Sequence, residues 1–137
     1  MTDTKLEPYL FFRGNCRDAM QFYKAAFGGE LKISTVGEAP PGSMPNQEQH
    51  TNDVMHSHLS GGLVSLLASD SEHASPETKK VELCISGSNE QELRAAFDKL
   101  SQGGKIKMKL EKQFWGDTFG SVTDRFGVDW MFNINKH

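Results

Sequence analysis

The order of apolar and polar positions predicts a strand followed by an amphipathic helix near the start of the chain. Residues 7–13 are largely apolar and aromatic, a pattern typical of a strand that is buried on both faces. Gly14-Asn15 then turns the chain, with Asn15 in an N-cap position, and Gly28-Gly29 supplies a helix stop. Between these two signals, apolar residues recur at helical spacing: Cys16, Ala19, Met20, Tyr23, Ala26 and Phe27.

Three further strands are predicted after this helix, at residues 31–36, 56–59 and 63–69. Gly61-Gly62 lies between the last two strands and indicates a hairpin turn. The intervening stretch, residues 37–52, holds three prolines and two glycines. Loops of this length in compact domains are usually lids or binding loops, so we expect this one to be mobile and to lie beside any pocket.

The second half of the chain repeats this order of elements. A strand is predicted at residues 81–86, and a second helix begins at Ser88 with a Ser-x-x-Gln capping box that reaches Gln91. Gly103-Gly104 ends that helix. Three more strands follow: residues 106–110, 119–123 and 128–134.

Glycines at corresponding turns of the two halves are separated by a nearly constant number of residues. Gly14 and Gly87 are 73 residues apart, and Gly28 and Gly103 are 75 residues apart. Two strand–helix units also occur in unrelated α+β folds, so chance similarity is the alternative interpretation. The spacing favours an α+β fold of two βαβββ modules, at about residues 5–70 and 79–137, within a single domain that spans residues 1–137.

A family resemblance is strongest in residues 114–132, which read Phe-Trp-Gly-Asp-Thr-Phe-Gly-Ser-Val-Thr-Asp-Arg-Phe-Gly-Val-Asp-Trp-Met-Phe. This stretch resembles the signature of the PhnB-like branch of the vicinal oxygen chelate (glyoxalase/bleomycin resistance/extradiol dioxygenase) superfamily. An Asp-x-x-Gly turn alone would suit any type I turn, but its combination with flanking tryptophans is specific. Shorter matches extend the resemblance over nearly the whole chain: residues 8–12, 19–23, 27–29 and 54–56.

The resemblance implies that each module curls into half of a glyoxalase-like mixed sheet, and that the two halves enclose a cavity that often holds a divalent metal. It also implies metal ligands on the first and fourth strands of each module. By register, these positions fall on Tyr9, Leu66 (or Ser65), Glu82 and Met131. Only Glu82 is a good metal ligand, so we expect no metal at the usual superfamily positions.

A rearranged metal site is the alternative. His56 and His58 differ by two positions along a predicted strand and therefore share a face. Together with Glu82 they would form a His-His-carboxylate set for a divalent metal. In the other interpretation, His56 hydrogen-bonds a ligand and His58 is packed or partly exposed.

Glu82 also has two interpretations as a candidate catalytic residue. Strand alternation places it on the cavity face with Cys84, where partial desolvation would raise its pKa. A carboxylate in that state could act as a general base together with His56. An edge position or an ion pair with Arg13 would instead make Glu82 purely structural.

The remaining candidate site residues are mostly aromatic. Tyr9 and Phe11 share a strand face, and Trp115 opens the signature. We expect these three, together with His58 and Met131, to contact a small-molecule ligand in an apolar pocket. Four other aromatic residues are predicted to lie in the core: Tyr23, Phe27, Trp130 and Phe132.

Composition narrows the range of partners and the expected location. The chain is 36% hydrophobic and 24% charged, with a formal net charge of -3. This composition is typical neither of disordered segments nor of the basic proteins that bind nucleic acids. No apolar run approaches the ~20 residues of a membrane span. The polar start shows no targeting peptide, and Cys16 and Cys84 lack CxxC spacing and are interpreted as reduced core residues. We therefore expect a cytoplasmic protein without nucleic-acid or membrane partners.

These observations favour a small-molecule-binding protein of the glyoxalase/bleomycin-resistance type, with its ligand between the modules and no cofactor. The alternative is a metal-dependent or acid–base lyase, isomerase or dioxygenase that uses His56 and Glu82. A third possibility is a structural protein whose core is filled and whose dimer interface carries its role. The resemblance implies a homodimer, since modules of this superfamily commonly pair between chains. Whether the protein is an enzyme stays open.

Overall fold

A computed structural model describes residues 4–44, 46–72 and 81–135. The chain divides into two compact units, Met1–Ser75 and Pro76–His137. No helix within the described ranges has the length and apolar character that a membrane span requires. The expectation that both units form a single domain stays a prediction.

The first unit contains one helix and one four-stranded sheet. Its sheet order is β1-β4-β3-β2, with β1 parallel to β4 and the other neighbours antiparallel. The elements follow in chain order: β1 (Tyr9–Phe12), α1 (Cys16–Phe27), β2 (Glu30–Thr35), β3 (Val54–Ser60) and β4 (Leu66–Asp70).

The second unit repeats this arrangement. Its sheet order is β5-β8-β7-β6, again with one parallel pair, between β5 and β8. The predicted pair of βαβββ modules and the α+β fold class are therefore confirmed. The elements are as follows: β5 (Leu83–Gly87), α2 (Glu90–Ser101), β6 (Lys105–Lys112), β7 (Thr118–Thr123) and β8 (Asp129–Ile134).

Helix α1 buries its apolar stripe against one face of the first sheet. All six residues of the predicted stripe are buried, and Cys16 Sγ lies 3.8 Å from Ser57 Oγ of β3. Strand residues on that side of the sheet are buried as well: Phe12, Leu59, Leu66 and Ala68. The predicted burial of β1 on both faces is wrong, because Tyr9 and Phe11 are 39% and 55% exposed on the face opposite α1.

The start of α1 is anchored by a residue far away in sequence. Asn15 occupies the N-cap as predicted, but its side chain makes no capping hydrogen bond. Asp70 Oδ1 instead accepts hydrogen bonds from the backbone N–H groups of Gly14 (2.8 Å) and Cys16 (3.0 Å). Its Oδ2 accepts from the N–H of Val54 at 2.8 Å. Asp70, at the end of β4, therefore joins the β1–α1 turn to the start of β3.

The end of α1 is tied to the β3–β4 turn. Gly28 ends the helix with a positive φ of 74°, as the Gly-Gly pair predicts. The N–H of Leu63 donates to the carbonyl of Phe27 at 3.0 Å. Gly62 allows this close approach, because a Cβ at that position would lie 2.5 Å from the carbonyl oxygens of Phe27 and Gly28.

The core of the second unit follows the same plan, with two corrections to the predictions. Trp130 and Phe132 are 1% and 0% exposed, so their predicted core positions are confirmed. The N-cap of α2 is Asn89, whose side chain accepts from the N–H of Glu92 at 3.1 Å, and not Ser88. Cys84 is exposed, which corrects its predicted core position, because β5 turns it to the face opposite α2.

Candidate functional site

The face of the first sheet opposite α1 carries four of the predicted site residues. Tyr9 and Phe11 of β1 are stacked, with ring centroids 4.9 Å apart, and His56 of β3 lies 6.4 Å from the Tyr9 ring. His58 shares this face because it pairs with Leu67, which in turn pairs with Tyr9. We call this surface, made of Tyr9, Phe11, His56 and His58, the aromatic face.

A polar cluster adjoins the aromatic face. Glu7 Oε2 accepts a hydrogen bond from the hydroxyl of Ser65 and lies 3.1 Å from His58 Nε2. His58 Nε2 also lies 3.2 Å from Ser65 Oγ, and Lys5 Nζ lies 3.6 Å from Glu7 Oε2. The side chain of Glu7 is only 14% exposed. We call these four residues (Lys5, Glu7, His58 and Ser65) the Glu7 cluster.

The contacts within the Glu7 cluster stabilise a charged carboxylate. The hydrogen bond from Ser65 lowers the pKa of Glu7 below its ordinary value, in opposition to burial, which raises it. His58 lowers the pKa of Glu7 further through its hydrogen bond and its charge, and Lys5 lowers it through its charge alone. Glu7 is therefore an ionised acceptor at neutral pH.

The geometry of the Glu7 cluster suits recognition better than nucleophilic catalysis. In a Ser-His-carboxylate relay, serine contacts one imidazole nitrogen and the carboxylate orients the ring through the other. Here Ser65 and Glu7 both contact Nε2 of His58, and the serine hydroxyl donates to the carboxylate itself. The cluster instead fixes one imidazole and one hydroxyl beside an aromatic surface, where both can hydrogen-bond a ligand.

The positions that the resemblance assigns to metal ligands do not supply a fitting donor set. Leu66 is 1% exposed on the helix side of the sheet, so Ser65 is the residue that shares the face of Tyr9. Ser65 is bonded within the Glu7 cluster, and the matching position in β8 is the thioether of Met131. Among the described residues, no group of three or more His, Cys, Asp or Glu side chains is placed to hold a metal ion.

In the second unit, Glu82 belongs to an ion-pair network. It lies just before β5, with a side chain that is 38% exposed, and its Oε1 accepts from Lys107 Nζ at 3.0 Å. Lys107 also lies 3.4 Å from Asp129 Oδ1, which accepts from the hydroxyl of Thr123 at 2.5 Å. Burial lowers the pKa of Lys107, but the two carboxylates outweigh it and raise that pKa overall. The ion pair that we considered for Glu82 is thus made by Lys107.

Arg13, the partner that we considered for Glu82, donates to the backbone carbonyl of Glu72 at 2.8 Å. His56 and Glu82 lie in different units, so their joint action stays a prediction.

The other predicted ligand contacts of the second unit lie on or near the face opposite α2. Met131 pairs directly with Cys84 across β8 and β5, and both side chains are at least partly exposed. Trp115 is 50% exposed and packs edge to face with Phe114 at 5.0 Å, in the turn before β7.

The signature motif that carries the family resemblance has a structural role. Asp124 is 3% exposed, and its two carboxylate oxygens accept hydrogen bonds from Phe126, Val128 and Trp130. The N–H of Gly127 donates to the carbonyl of Asp124 at 3.0 Å and closes the predicted turn. Asp124 therefore holds β7, the turn and β8 together.

Comparison with known proteins defines the class of this chain. The sequence model of the Glyoxalase/Bleomycin resistance protein/Dioxygenase superfamily matches residues 5–132. The repeated βαβββ unit described above agrees with this match. The chain therefore belongs to the glyoxalase/bleomycin resistance protein/dioxygenase superfamily.

Three relatives show its branch within the superfamily. Protein YjdN of Escherichia coli (strain K12) is 35% identical over 96% of this chain and 95% of its own length. The crystal structure of protein PA1353 from Pseudomonas aeruginosa matches with 34% identity and a TM-score of 0.83, covering 97% of this chain and 98% of that one. A PhnB protein from Bacillus cereus matches with 27% identity and a TM-score of 0.74, covering 96% and 100%. These matches support the PhnB-like branch.

Sequence reasoning missed most of the Glu7 cluster. Glu7 precedes Tyr9 by two residues and so shares its strand face, which is a signal that the sequence contains. Ser65 was considered only as a register alternative for a metal ligand. Its actual partners, Glu7 and His58, depend on the pairing of β1 and β3 with β4.

Proposed function

We propose that this protein binds a small organic molecule on the aromatic face of its first unit, as a PhnB-like member of its superfamily. The observation that carries the proposal is the stacked pair Tyr9–Phe11, which is exposed beside the hydrogen-bonded Glu7 cluster. Aromatic and apolar side chains together with a small number of placed polar groups are the usual lining of a small-molecule site.

The aromatic part of the face favours a flat, unsaturated ligand. Tyr9 and Phe11 stack on each other and are 39% and 55% exposed, and His56 adds a third ring at 6.4 Å from Tyr9. Offset stacking on such rings contributes about 0.5–1.5 kcal/mol beyond the burial of apolar area. A planar ligand would gain this contribution, whereas a branched aliphatic ligand of the same size would not.

The Glu7 cluster favours an uncharged hydrogen-bonding group on that ligand. The charge of Glu7 is already matched by Lys5 at 3.6 Å, and its Oε2 is also engaged by His58 and Ser65. A second full charge would have to compete with these contacts. A hydroxyl or amide could exchange hydrogen bonds with His58 and Ser65 without disturbing the balance of charge.

The enzyme alternative, acid–base or metal-dependent chemistry by His56 and Glu82, stays a prediction. Glu82 is held by Lys107 at 3.0 Å, which favours its structural interpretation. Among the described residues, the carboxylate of Glu7 contacts His58, and no carboxylate contact is found for His56. If proton transfer takes place on the aromatic face, His58 is therefore the residue that we propose for it.

The test is a calorimetric titration with salicylamide, a flat ring that carries one hydroxyl and one amide. We expect Tyr9→Leu and Phe11→Leu each to weaken binding by about 3- to 10-fold, because leucine keeps apolar area but removes stacking. Phe114→Leu is the matched control, since Phe114 is an exposed aromatic residue of the second unit. Cyclohexanecarboxamide, which has no aromatic ring, should bind more weakly than salicylamide.

Two outcomes would contradict the proposal. One is binding of salicylamide that Tyr9→Leu and Phe11→Leu leave unchanged. The other is equal binding of cyclohexanecarboxamide and salicylamide, which would show that stacking on the aromatic rings of the protein does not contribute to binding.

The homodimer and the cytoplasmic location also stay proposals. Light scattering coupled to size exclusion tests the first, since a mass twice that of the 15.3 kDa chain is expected. Fractionation of cells that express the protein tests the second.

A further inference from the structure

We propose that Nδ1 of His58 accepts a hydrogen bond from the ligand of the aromatic face, so that this ligand is a flat aromatic molecule with a hydroxyl group on its ring. The proposal rests on the proposed function and adds to it the atom that recognises the ligand. It follows from the hydrogen bonds that already occupy the other groups of the Glu7 cluster.

The hydroxyl proton of Ser65 is committed within the cluster. Ser65 Oγ donates it to Oε2 of Glu7, an ionised carboxylate that can only accept. Ser65 Oγ also lies 3.2 Å from Nε2 of His58. Because a serine hydroxyl has no second proton, Ser65 can only accept in this second contact.

These contacts decide which nitrogen of His58 is protonated. Both partners of Nε2 are acceptors, with Glu7 Oε2 at 3.1 Å and Ser65 Oγ at 3.2 Å, so the ring proton must lie on Nε2. Histidine side chains ordinarily carry a single ring proton above about pH 7. Nδ1 is then the unprotonated nitrogen and can only accept.

Nδ1 of His58 is accessible and unoccupied by the protein. Both hydrogen-bond contacts of the His58 ring with described residues are made by Nε2. In the described part of the chain, Gln47 Oε1 is the one buried side-chain nitrogen or oxygen without a partner, so Nδ1 is not buried. The whole side chain of His58 is 31% exposed. An accessible acceptor of this kind favours a ligand that brings its own donor.

The sheet register places His58 within reach of a ligand that stacks near Tyr9. His58 pairs with Leu67, which in turn pairs with Tyr9. His58 and Tyr9 are therefore two strands apart, with about 10 Å between their backbones. Leu67 shares their face and is partly exposed, so it supplies an apolar floor between them. A fused two-ring ligand can cover Leu67 and place a ring hydroxyl at His58.

An uncharged donor fits this position better than an ion. A carboxylate has no proton to give and would meet the lone pair of Nδ1. An ammonium group would be repelled by Lys32, which pairs with His58 across β2 and β3, and by Lys5 of the cluster. A hydroxyl on an aromatic ring donates without charge, and the ring supplies the stacking surface.

The first arm of the test measures the protonation of His58 without a ligand. In ¹⁵N-labelled protein at about pH 7.5, long-range proton–nitrogen correlation spectra should show a protonated Nε2 and an unprotonated Nδ1. A protonated Nδ1 at this pH would overturn the proposal and leave the aromatic face as a site intact.

The second arm compares 2-naphthol with 2-methoxynaphthalene, which keeps both rings and the oxygen but has no proton to donate. In a fluorescence titration, 2-naphthol should bind the wild type about 3- to 10-fold more tightly. His58→Gln keeps an N–H for Glu7 and Ser65 but lacks Nδ1, so it should bind both ligands equally. His56→Gln, at the neighbouring histidine of the same face, is the matched control and should keep the ratio of the two affinities even if it lowers both.

The pH dependence gives a readout that a purely structural role of His58 would not change. A second ring proton converts Nδ1 from an acceptor into a donor, so the preference for 2-naphthol should fall on acidification in step with the Nδ1 signal. The charged and titratable groups that face His58 are Glu7 and Lys5 of the cluster, Lys32 of β2 and His56 of β3. Following the Nδ1 signal of His58 itself separates its protonation from theirs.

Three binding results would overturn the proposal. They are equal binding of the two ligands to the wild type, a ratio that His58→Gln leaves unchanged, and tighter binding of 2-naphthoate than of 2-naphthol. If Tyr9→Leu still weakens the binding of 2-naphthol in these cases, the aromatic face remains a site and only the role of His58 fails. If Tyr9→Leu has no effect, the proposed function fails as well.

Discussion

The carboxylate of Asp124 accepts a hydrogen bond from the indole Nε1 of Trp130 at 2.8 Å, inside the core of the second unit. Its other oxygen accepts from the backbone N–H groups of Phe126 (2.8 Å) and Val128 (3.1 Å). Asp124 is 3% exposed and Trp130 is 1% exposed, so this charge is shielded from water and depends on its donors. The spacing of Asp and Trp in the signature is thus explained by one buried carboxylate.

Asp124→Ala should lower the free energy of unfolding by about 2–4 kcal/mol, because it leaves the indole N–H and the turn N–H groups without their acceptor. Urea denaturation followed by tryptophan fluorescence measures this change. Asp98→Ala, an exposed position of α2, is the control and should change stability by less than about 0.5 kcal/mol. A loss at Asp124 no larger than that of the control would contradict the structural role.

The two cysteines should differ sharply in reactivity. Burial raises the pKa of the Cys16 thiol to about 12, despite an opposing hydrogen bond with Ser57, whereas Cys84 is exposed. At about pH 8, one thiol per native chain should react quickly with iodoacetamide, and mass spectrometry should assign it to Cys84. Both should react in denaturant. Rapid labelling of Cys16 in the native protein would show that the first core is more open than described.

The adjacent glycines Gly61 and Gly62 should respond differently to alanine. Gly61 has φ 88° with open space around it, so Gly61→Ala should cost only the strain of a left-handed alanine, about 1 kcal/mol. A methyl group on Gly62 would meet two backbone carbonyl oxygens at 2.5 Å, so Gly62→Ala should cost more than about 2 kcal/mol. Thermal and urea unfolding of the two variants measure the difference. Equal losses would contradict the close approach of α1 to the β3–β4 turn.

The Glu7 cluster should make stability depend on pH in the acid range. Since the pKa of Glu7 is lowered in the folded state, the unfolded chain binds protons more readily near the ordinary value of 4.5. The contribution of Glu7 is therefore complete above that pH and is lost as the pH falls toward the lower pKa of the folded state.

Glu7→Gln should flatten this part of the profile, measured by urea unfolding between about pH 3 and 6. Glu30→Gln, at an exposed position, should leave it unchanged. Parallel profiles for the wild type and Glu7→Gln would contradict the ionised carboxylate that we assign to the cluster.

The elements of the fold could be predicted from the sequence because their signals are local. The helical stripe from Cys16 to Phe27 and the glycine stops at Gly28 and Gly103 depend on neighbours within a few residues. The α2 cap was misplaced by one residue, because Ser88 and Asn89 are both good N-cap residues and only the folded turn distinguishes them. Aromatic character alone did not decide burial, since α1 covers only one face of β1.

The site was less predictable because its contacts join distant residues. Tyr9, Phe11, His56 and His58 could be placed on shared faces by strand alternation. Glu7 and Ser65 are 58 residues apart, and their contact requires the parallel pairing of β1 with β4. In the β2–β3 loop, Gln47 begins a short 3-10 helix (Gln47–Gln49), and no periodic sequence pattern there indicates which side chains turn inward.

The aromatic face can be tested most directly by following the histidine ring signals during a salicylamide titration. We predict that the Cε1–H signals of His56 and His58 shift together and saturate. His50 lies in the same unit but is bonded to Asp53 at 3.1 Å and to Glu72 at 2.8 Å, and its signal should stay in place. Shifts at His50 as large as those at His56 and His58, or no histidine shift at concentrations where calorimetry detects binding, would contradict a ligand site on the aromatic face.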